Sequence, residues 1–464
     1  MNEARQSPDG LRRELGLWGA ASIVVGTVIG SGIFLVPTAM IKQVGSPGMV
    51  FAVWIVGGLL TLAGALTYAE LSASLPEAGG EYVYLREAYG PYWGFVYGWT
   101  QMWVAKSGSV ATLATAFFYY LANFRPALEG VLWVIPLPIG PQGGPLEIRY
   151  GQLLAIAVIL ALGVVNFFGV KVGGGLQIVV TIVKVLLIAG TIGVGLLAPL
   201  PAGAAASGTV AATGGVAGFF AALVAALWAY DGWNNLTMVS GEVRDPQRNL
   251  PPSLVLGTAI VVALYLATNL AYFRVLSAGE VASTNRVAAA MMAHLMGPAG
   301  AAAVSIAAMI SIFAALNGSI LSGARVPYAM ARDGLFFAAA GRVHPSYHSP
   351  SVSILLMSAW SAVLVLSGRY EELFTYVIFA NWILYAMSTA SVIVLRRKRP
   401  DLARPYRTPA YPVLPVLFVA GAMALVLSTL VKSPRESLLG LAVIVAGIPF
   451  YLRWKRRKIE AMKY

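Results

Sequence analysis

Gly26-Thr27-Val28-Ile29-Gly30-Ser31-Gly32-Ile33-Phe34 lies inside an apolar run, residues 15 to about 40, that contains no charge. As one helix the run would be about 39 Å long, more than a hydrocarbon core of about 30 Å. Each glycine in its middle costs about 1 kcal/mol of helix stability relative to alanine. Backbone groups freed by a break find no water in lipid, so a break is tolerated only where it is buried in protein or lines a cavity. The stretch is therefore expected to divide one membrane span into two half-helices and to form one side of a ligand site.

The composition agrees with a membrane setting. Of 464 residues, 58% are hydrophobic and 11% are charged, where a soluble chain carries roughly 25% charged residues. The absence of cysteine excludes disulfides and thiolate metal sites, and three histidines are too few for a histidine-rich metal centre. No metal or cofactor is expected. The net charge of +13 would suggest nucleic acid in a soluble protein. Here the cations fall between apolar runs, which points to topology and anionic lipid instead. Residues 1–13 are polar and have no apolar h-region, so no removable signal peptide is expected.

Runs long enough to span recur about twelve times, near 15–41, 48–74, 92–122, 151–169, 174–199, 215–240, 252–275, 298–328, 350–368, 372–395, 411–431 and 436–453. With twelve spans, Arg5, Arg12, Arg13, Lys171, Arg244, Arg248, Arg332 and Arg342 share one side. The cluster Arg396-Arg397-Lys398-Arg399 and the basic segment 453–458 fall there too. The positive-inside rule then puts both termini in the cytoplasm. Turn formers at Pro76-Glu77-Ala78-Gly79-Gly80 lead into a short helix expected over 84–92. The longest outer connection, 123–150, holds Pro126, Pro136, Pro138, Pro141 and Pro145. A second, 277–296, is read as a short outer helix.

The sixth run carries a second interruption, Trp228-Ala229-Tyr230-Asp231-Gly232-Trp233-Asn234-Asn235. A carboxylate and two amides in mid-span are costly unless they face a cavity. Runs 1 and 6 are five apart, an odd number, so the second unit would be inverted relative to the first. Interrupted helices at corresponding places in two halves point to a transporter site at their interface. The alternative is that Gly30 and Gly32 are small-residue packing contacts.

Amides that open a half-helix bind anions, so Ser31, Gly32 and Ile33 are expected to hold a carboxylate. Carbonyls ending the other half-helices, near Thr27, Val28 and Ile29 and near Trp228 and Ala229, would hold an ammonium. Such a site suits a zwitterion, a free α-amino acid. Trp228 is read as a gate over it, and Asp231 as a reader of a cationic side chain or as a helix cap. Lys184, flanked by Ile182-Val183 and Val185-Leu186, is an intramembrane cation and a functional candidate by default. Lys106 invites the same question, with the structural reading favoured there. Asp231 and Glu70 are not accompanied by a base, nucleophile or metal constellation, so an enzyme is not expected. Short termini argue against a receptor.

These residues resemble the amino acid–polyamine–organocation superfamily and, within it, the L-type amino-acid transporter branch, in a bacterial-like form. The resemblance rests on the stretch 26–34, on Pro76-Glu77-Ala78-Gly79-Gly80-Glu81-Tyr82, and on Trp228-Ala229-Tyr230-Asp231-Gly232-Trp233-Asn234 with Gly241-Glu242-Val243-Arg244-Asp245-Pro246. It extends to Asn317-Gly318-Ser319, Ala331-Arg332-Asp333-Gly334 and Asn381-Trp382. It implies an all-α integral membrane protein of twelve helices with the leucine-transporter fold, two inverted five-helix repeats and broken helices 1 and 6. In these terms residues 1–14 are a cytoplasmic tail, 15–199 and 215–395 the repeats, and 396–464 helices 11 and 12 with a basic tail. The resemblance implies alternating access in the cell membrane without sodium, Lys184 replacing a bound sodium ion. It implies that Val28, Ser31 and Gly32 meet the substrate carboxylate, with Gly30 and Asn235 in the same unwound segments. Trp228 and Asp231 would lie near the amine and side chain, and Asn381 in the side-chain pocket. Substrates would be neutral amino acids, extended to cationic ones by Asp231. The other coupling to weigh is proton symport with Lys184 titrating. Animal members join a heavy subunit through a cysteine that this chain lacks, so no disulfide-linked partner is expected. The sequence does not give the oligomeric state.

Overall fold

The first apolar run folds as two helices, α1 (Leu17–Val28) and α2 (Gly32–Val44), inclined by 44° across Ile29, Gly30 and Ser31. In this computed structural model residues 10–136, 144–199, 208–212, 214–367, 370–432 and 434–461 are described. Arg5, Pro138 and Pro141 lie outside them. No side chain caps the start of α1, and at its end the Ile29 amide donates to the Val25 carbonyl. The break is therefore held by neighbouring elements, as a break in lipid must be.

After α3 (Pro47–Ser74) the chain turns at Gly79 and Gly80, both at positive φ, into α4 (Glu81–Tyr89). This helix begins three residues before the expected 84. The third run is not one regular helix. It comprises α5 (Pro91–Thr100), a π-helical turn over Gln101–Ala105 and α6 (Lys106–Ala122). The connection 123–150 holds a two-stranded antiparallel hairpin, β1 (Val131–Ile135) with β2 (Leu146–Arg149), so the chain is not wholly helical. Then come α7 (Tyr150–Phe167) and α8 (Val170–Leu197).

The sixth run is broken as well. Helix α9 (Gly215–Ala229) ends at Tyr230, and only a single turn, α10 (Asn235–Met238), follows before a 3-10 turn over Ser240–Glu242. Helix α11 (Pro246–Val275) leads to α12 (Ala278–Ser283), where Ser277 and Glu280 form a capping box. The expected outer helix 277–296 is thus two pieces, the second being the start of α13 (Val287–Gly323), kinked at Gly297 before Pro298. Helices α14 (Arg325–Arg332), α15 (Ser351–Leu366), α16 (Tyr370–Lys398), α17 (Val413–Lys432), α18 (Pro434–Ala446) and α19 (Ile448–Ala461) complete the chain.

Among the described residues six helices are long and apolar enough to cross a membrane, or seven with α1 and α2 as one bent span. Of the remaining expected crossings, the third is interrupted by the π turn and the sixth is shortened by its break, the ninth is the 16-residue α15, and the tenth is the 29-residue α16. Many large apolar side chains remain exposed, among them Ile182, Leu186, Val363 and Leu427. So extensive an apolar exterior needs lipid to cover it, and the chain is a multi-pass membrane protein.

One end of the bundle is basic and densely paired. Arg86 meets Glu77 and Asp333, both at 2.8 Å, and Arg396 holds Glu70 by two hydrogen bonds of 2.8 and 2.6 Å. The Glu14 and Leu15 amides donate to the Glu242 carbonyl at 2.9 and 3.0 Å. The entry of α1 is thereby stapled to the exit of the sixth run.

Candidate functional site

The two breaks face each other. Thr27 Oγ1 donates to the Gly232 carbonyl at 2.9 Å, and the Tyr265 hydroxyl on α11 lies 3.1 Å from the Val28 carbonyl and 2.9 Å from that of Ala229. One phenol therefore touches the last carbonyl of α1 and the last of α9. Gly232 has φ +104°, a conformation that excludes most side chains. A Cβ on Gly32 would come within 2.7 Å of Ala229 Cβ and 2.8 Å of its Cα. Gly32 is thus also the place where α2 packs on α9, and the small-residue reading describes part of its role.

Between the breaks lies a cavity of about 50 Å³, lined by Thr27, Val28, Gly30, Ser31, Gly32, Lys106, Ser109, Leu113, Trp228, Ala229, Asp231, Gly232, Asn235 and Ser319. Ser31, Gly32 and Ile33 open α2, and first-turn amides have no partner in their own helix. Trp228 is part-buried on the opposite wall.

Of the expected site residues, Ile29, Ile33, Lys184 and Asn381 stand outside this lining. The Ile29 carbonyl accepts from Lys184 Nζ at 2.6 Å and from Ser311 Oγ at 2.9 Å. Lys184 also donates to the Gly26 carbonyl at 2.7 Å. It is 0% exposed, although Ile182, Val183 and Leu186 beside it face outward. Its ammonium therefore does not snorkel to an interface. It joins α8 directly to α1, and Ser311 brings α13 to the same carbonyl. The α1 and α9 carbonyls assigned to a substrate ammonium are thus partly engaged by Lys184, Ser311 and Tyr265. Asn381 accepts from Gln101 Nε2 at 2.9 Å, which ties α16 to the π turn.

Lys106 stands closer to the cavity than its sequence context indicates. It follows the π turn, and its Nζ donates to Asn235 Oδ1 at 2.5 Å. A Cβ on Gly323 would lie 2.3 Å from Lys106 Cγ, so that glycine leaves the path for the lysine stem. π turns recur at functional sites, but no sequence signature marks one. Asp231 accepts from the Tyr385 hydroxyl at 2.9 Å. The cavity wall thus carries both an ammonium and a carboxylate. Ser109, Ser319, Ser311, Tyr265 and Tyr385 were not expected, since a lone hydroxyl in an apolar helix is common and carries no signal.

Below the second break, Glu81 at the start of α4 is fully buried. Its carboxylate accepts from Asn234 Nδ2, from the Tyr97 hydroxyl at 3.0 Å and from Thr237 Oγ1 at 3.3 Å. A family model described as amino acid permease matches residues 15–448. The chain belongs to the amino acid permease family. The permease is 34% identical over 454 residues to the serine/threonine exchanger SteT of Bacillus subtilis (strain 168), covering 97% of this chain and 98% of the relative. It is 31% identical to the human b(0,+)-type amino acid transporter 1, over 95% of this chain and 88% of that one. It is 30% identical to the human cystine/glutamate transporter, over 95% and 85% of the two chains. These relatives are transporters and exchangers, not enzymes, and they support amino-acid transport by this permease. Having no cysteine, it can form no disulfide with a partner chain.

Proposed function

We propose that this permease exchanges small neutral amino acids across the cell membrane, without sodium, by alternating access. The observation that carries the reading is the pair of facing breaks, with first-turn amides on one wall of a small cavity and Lys106 with Asp231 on the other. The substrate carboxylate would sit on the Ser31, Gly32 and Ile33 amides, beside Thr27, Val28 and Gly30. The substrate ammonium would use the remaining lone pairs of the break carbonyls, including Ala229, and Trp228 would close over it.

Lys106 bears on the choice of side chain. A cavity holding Asp231 alone would favour a cationic substrate. With the Lys106 ammonium in the same wall, the charge is already matched, which supports a neutral and, given about 50 Å³, small side chain. Asn235, which accepts from Lys106, and Asn381, behind the π turn, would set its shape. The serine/threonine exchanger among the relatives is in keeping with this reading.

Lys184 would stand where a coupling cation would otherwise tie the first break to the scaffold. The chain would have twelve spans in two inverted five-helix repeats, 15–199 and 215–395, followed by two further helices in 396–464. The basic end, the tail 1–14 and both termini would be cytoplasmic. Counterflow in proteoliposomes tests the proposal. Radiolabelled serine should enter only liposomes preloaded with an amino acid, equally in sodium and in choline. Uptake that needs a pH gradient and no internal amino acid would replace exchange by proton symport, with Lys184 as the titrating group.

A further inference from the structure

We infer that the loop between α14 and α15 forms a binding site for the phosphate headgroup of an anionic phospholipid. At the basic end an open cavity of about 700 Å³ is lined by Gly10, Arg332, Gly341, Arg342, Val343, His344, Pro345, Ser351 and Val352. Its two arginines are exposed, and neither guanidinium has an ion-pair or hydrogen-bond partner among the described residues. Three other arginines of this end are spent on protein acceptors: Arg86 on Glu77 and Asp333, Arg244 on Glu14, Arg399 on Glu87. Arg332 and Arg342 thus present free donors to a concave surface, the arrangement that a phosphate oxyanion completes. Arg12 adds positive potential nearby. Burial, and after it the Arg12 charge, holds His348 below the ordinary histidine value.

What lies next to the cavity decides for a lipid over a soluble phosphate. Val352, on the cavity wall, heads a stripe of exposed apolar residues on α15, continued by Leu355, Ala359 and Val363. The spacing of three, four and four keeps them on one helix face, so an acyl chain can descend from the same point at which its headgroup is held. His344, also on the wall, stacks on Tyr347 with ring centroids 4.6 Å apart, and Tyr347 packs edge-on against Phe168 at 5.1 Å. Tyr347 and Phe168 are both exposed, and aromatic side chains so placed mark the headgroup level of a bilayer. Cations, aromatic belt and acyl-facing stripe meet at one cavity. The alternative that these arginines only enforce topology predicts no preference for this place over other exposed basic positions.

The test uses native mass spectrometry of the purified full chain with phosphatidylglycerol as probe, and phosphatidylcholine and inorganic phosphate as comparisons. The wild type should retain phosphatidylglycerol over phosphatidylcholine. The double variant Arg332→Gln/Arg342→Gln should lose about 30-fold in that affinity, the effect of two basic side chains at an anionic surface. Arg397→Gln/Arg407→Gln removes the same charge from other exposed positions and should leave the affinity unchanged. Arg342→Gln alone, on an exposed loop, should show part of the loss even if the double variant is too unstable to purify. Equal losses in the two double variants, or none in either, would overturn the inference. So would inorganic phosphate displacing phosphatidylglycerol completely, which would make the cavity a soluble-anion site.

Discussion

Lys106 and Asn235 join the third and sixth runs across the cavity wall, with Nζ donating to Oδ1 at 2.5 Å. Asp231 is the carboxylate that shares that wall. Replacing Lys106 with methionine removes the ammonium and leaves the carboxylate facing the substrate unmatched. Inhibition of serine uptake by arginine or lysine should then strengthen by about tenfold, which corresponds to about 1.4 kcal/mol. Competition curves on Lys106→Met proteoliposomes check this. A cavity that still rejects cationic amino acids would show that Lys106 does not set the charge preference.

Asp231→Gly gives the complementary measurement. If the carboxylate reads a side chain, the variant should bind lysine and arginine more weakly than wild type while neutral substrates are retained. If it serves only to anchor Tyr385, whose hydroxyl it accepts at 2.9 Å, all substrates should weaken together. A thermal-shift panel of amino acids on the purified variants separates the two patterns.

Gly32 allows no side chain without a shift of the backbone around it. Even Gly32→Ala would bring a Cβ to 2.8 Å from the Ala229 Cα. Gly32→Val should abolish uptake with expression and membrane insertion largely intact. Gly30→Ala, whose Cβ would meet only Leu113 and Ala315 at 3.5 and 3.7 Å, should retain most transport. Reversal of this order in a transport assay would mean that the α2–α9 approach is not what requires the glycine.

Lys184→Ala would strand the Gly26 carbonyl in a dry environment, where an unsatisfied group costs about 1–3 kcal/mol, and leave the Ile29 carbonyl to Ser311 alone. Transport should fall to background in the variant, in sodium and choline alike. Uptake by Lys184→Ala at the wild-type rate would remove Lys184 from the mechanism.

Glu242 and Arg325 form a bidentate pair, at 2.6 and 2.9 Å, with both side chains wholly buried. Glu242 is also the residue whose carbonyl holds the entry of α1. Removing one partner from such a pair typically costs about 3–5 kcal/mol. Glu242→Gln and Arg325→Gln should each lower the thermal midpoint clearly, and the double variant should lose less than the sum. Additive losses in that cycle would mean that the two charges are not coupled.

The chain itself determined much of the architecture. An uncharged run too long for one crossing, broken by Gly30-Ser31-Gly32, reads as two half-helices because length and glycine cost are local properties. The carboxylate and amides at 231–235 mark the second break for the same reason: a polar group in lipid must be explained wherever it sits. Lys184 was legible as an intramembrane charge, and the fold places it on the first break.

What contacts what was decided only by the fold. Lys106 looks no different in sequence from a structural lysine, and the π turn that precedes it leaves no residue pattern. Gly32 reads as room for a ligand until Ala229 is found against it from 197 positions away. Tyr265 acquires a role only because α11 carries its hydroxyl to the carbonyls of two breaks. Asn381, a pocket residue by resemblance, meets Gln101 instead of the cavity. Helix breaks and buried charges announce themselves through their own local cost. Partners depend on packing between segments far apart in the chain, and that the tertiary structure alone supplies.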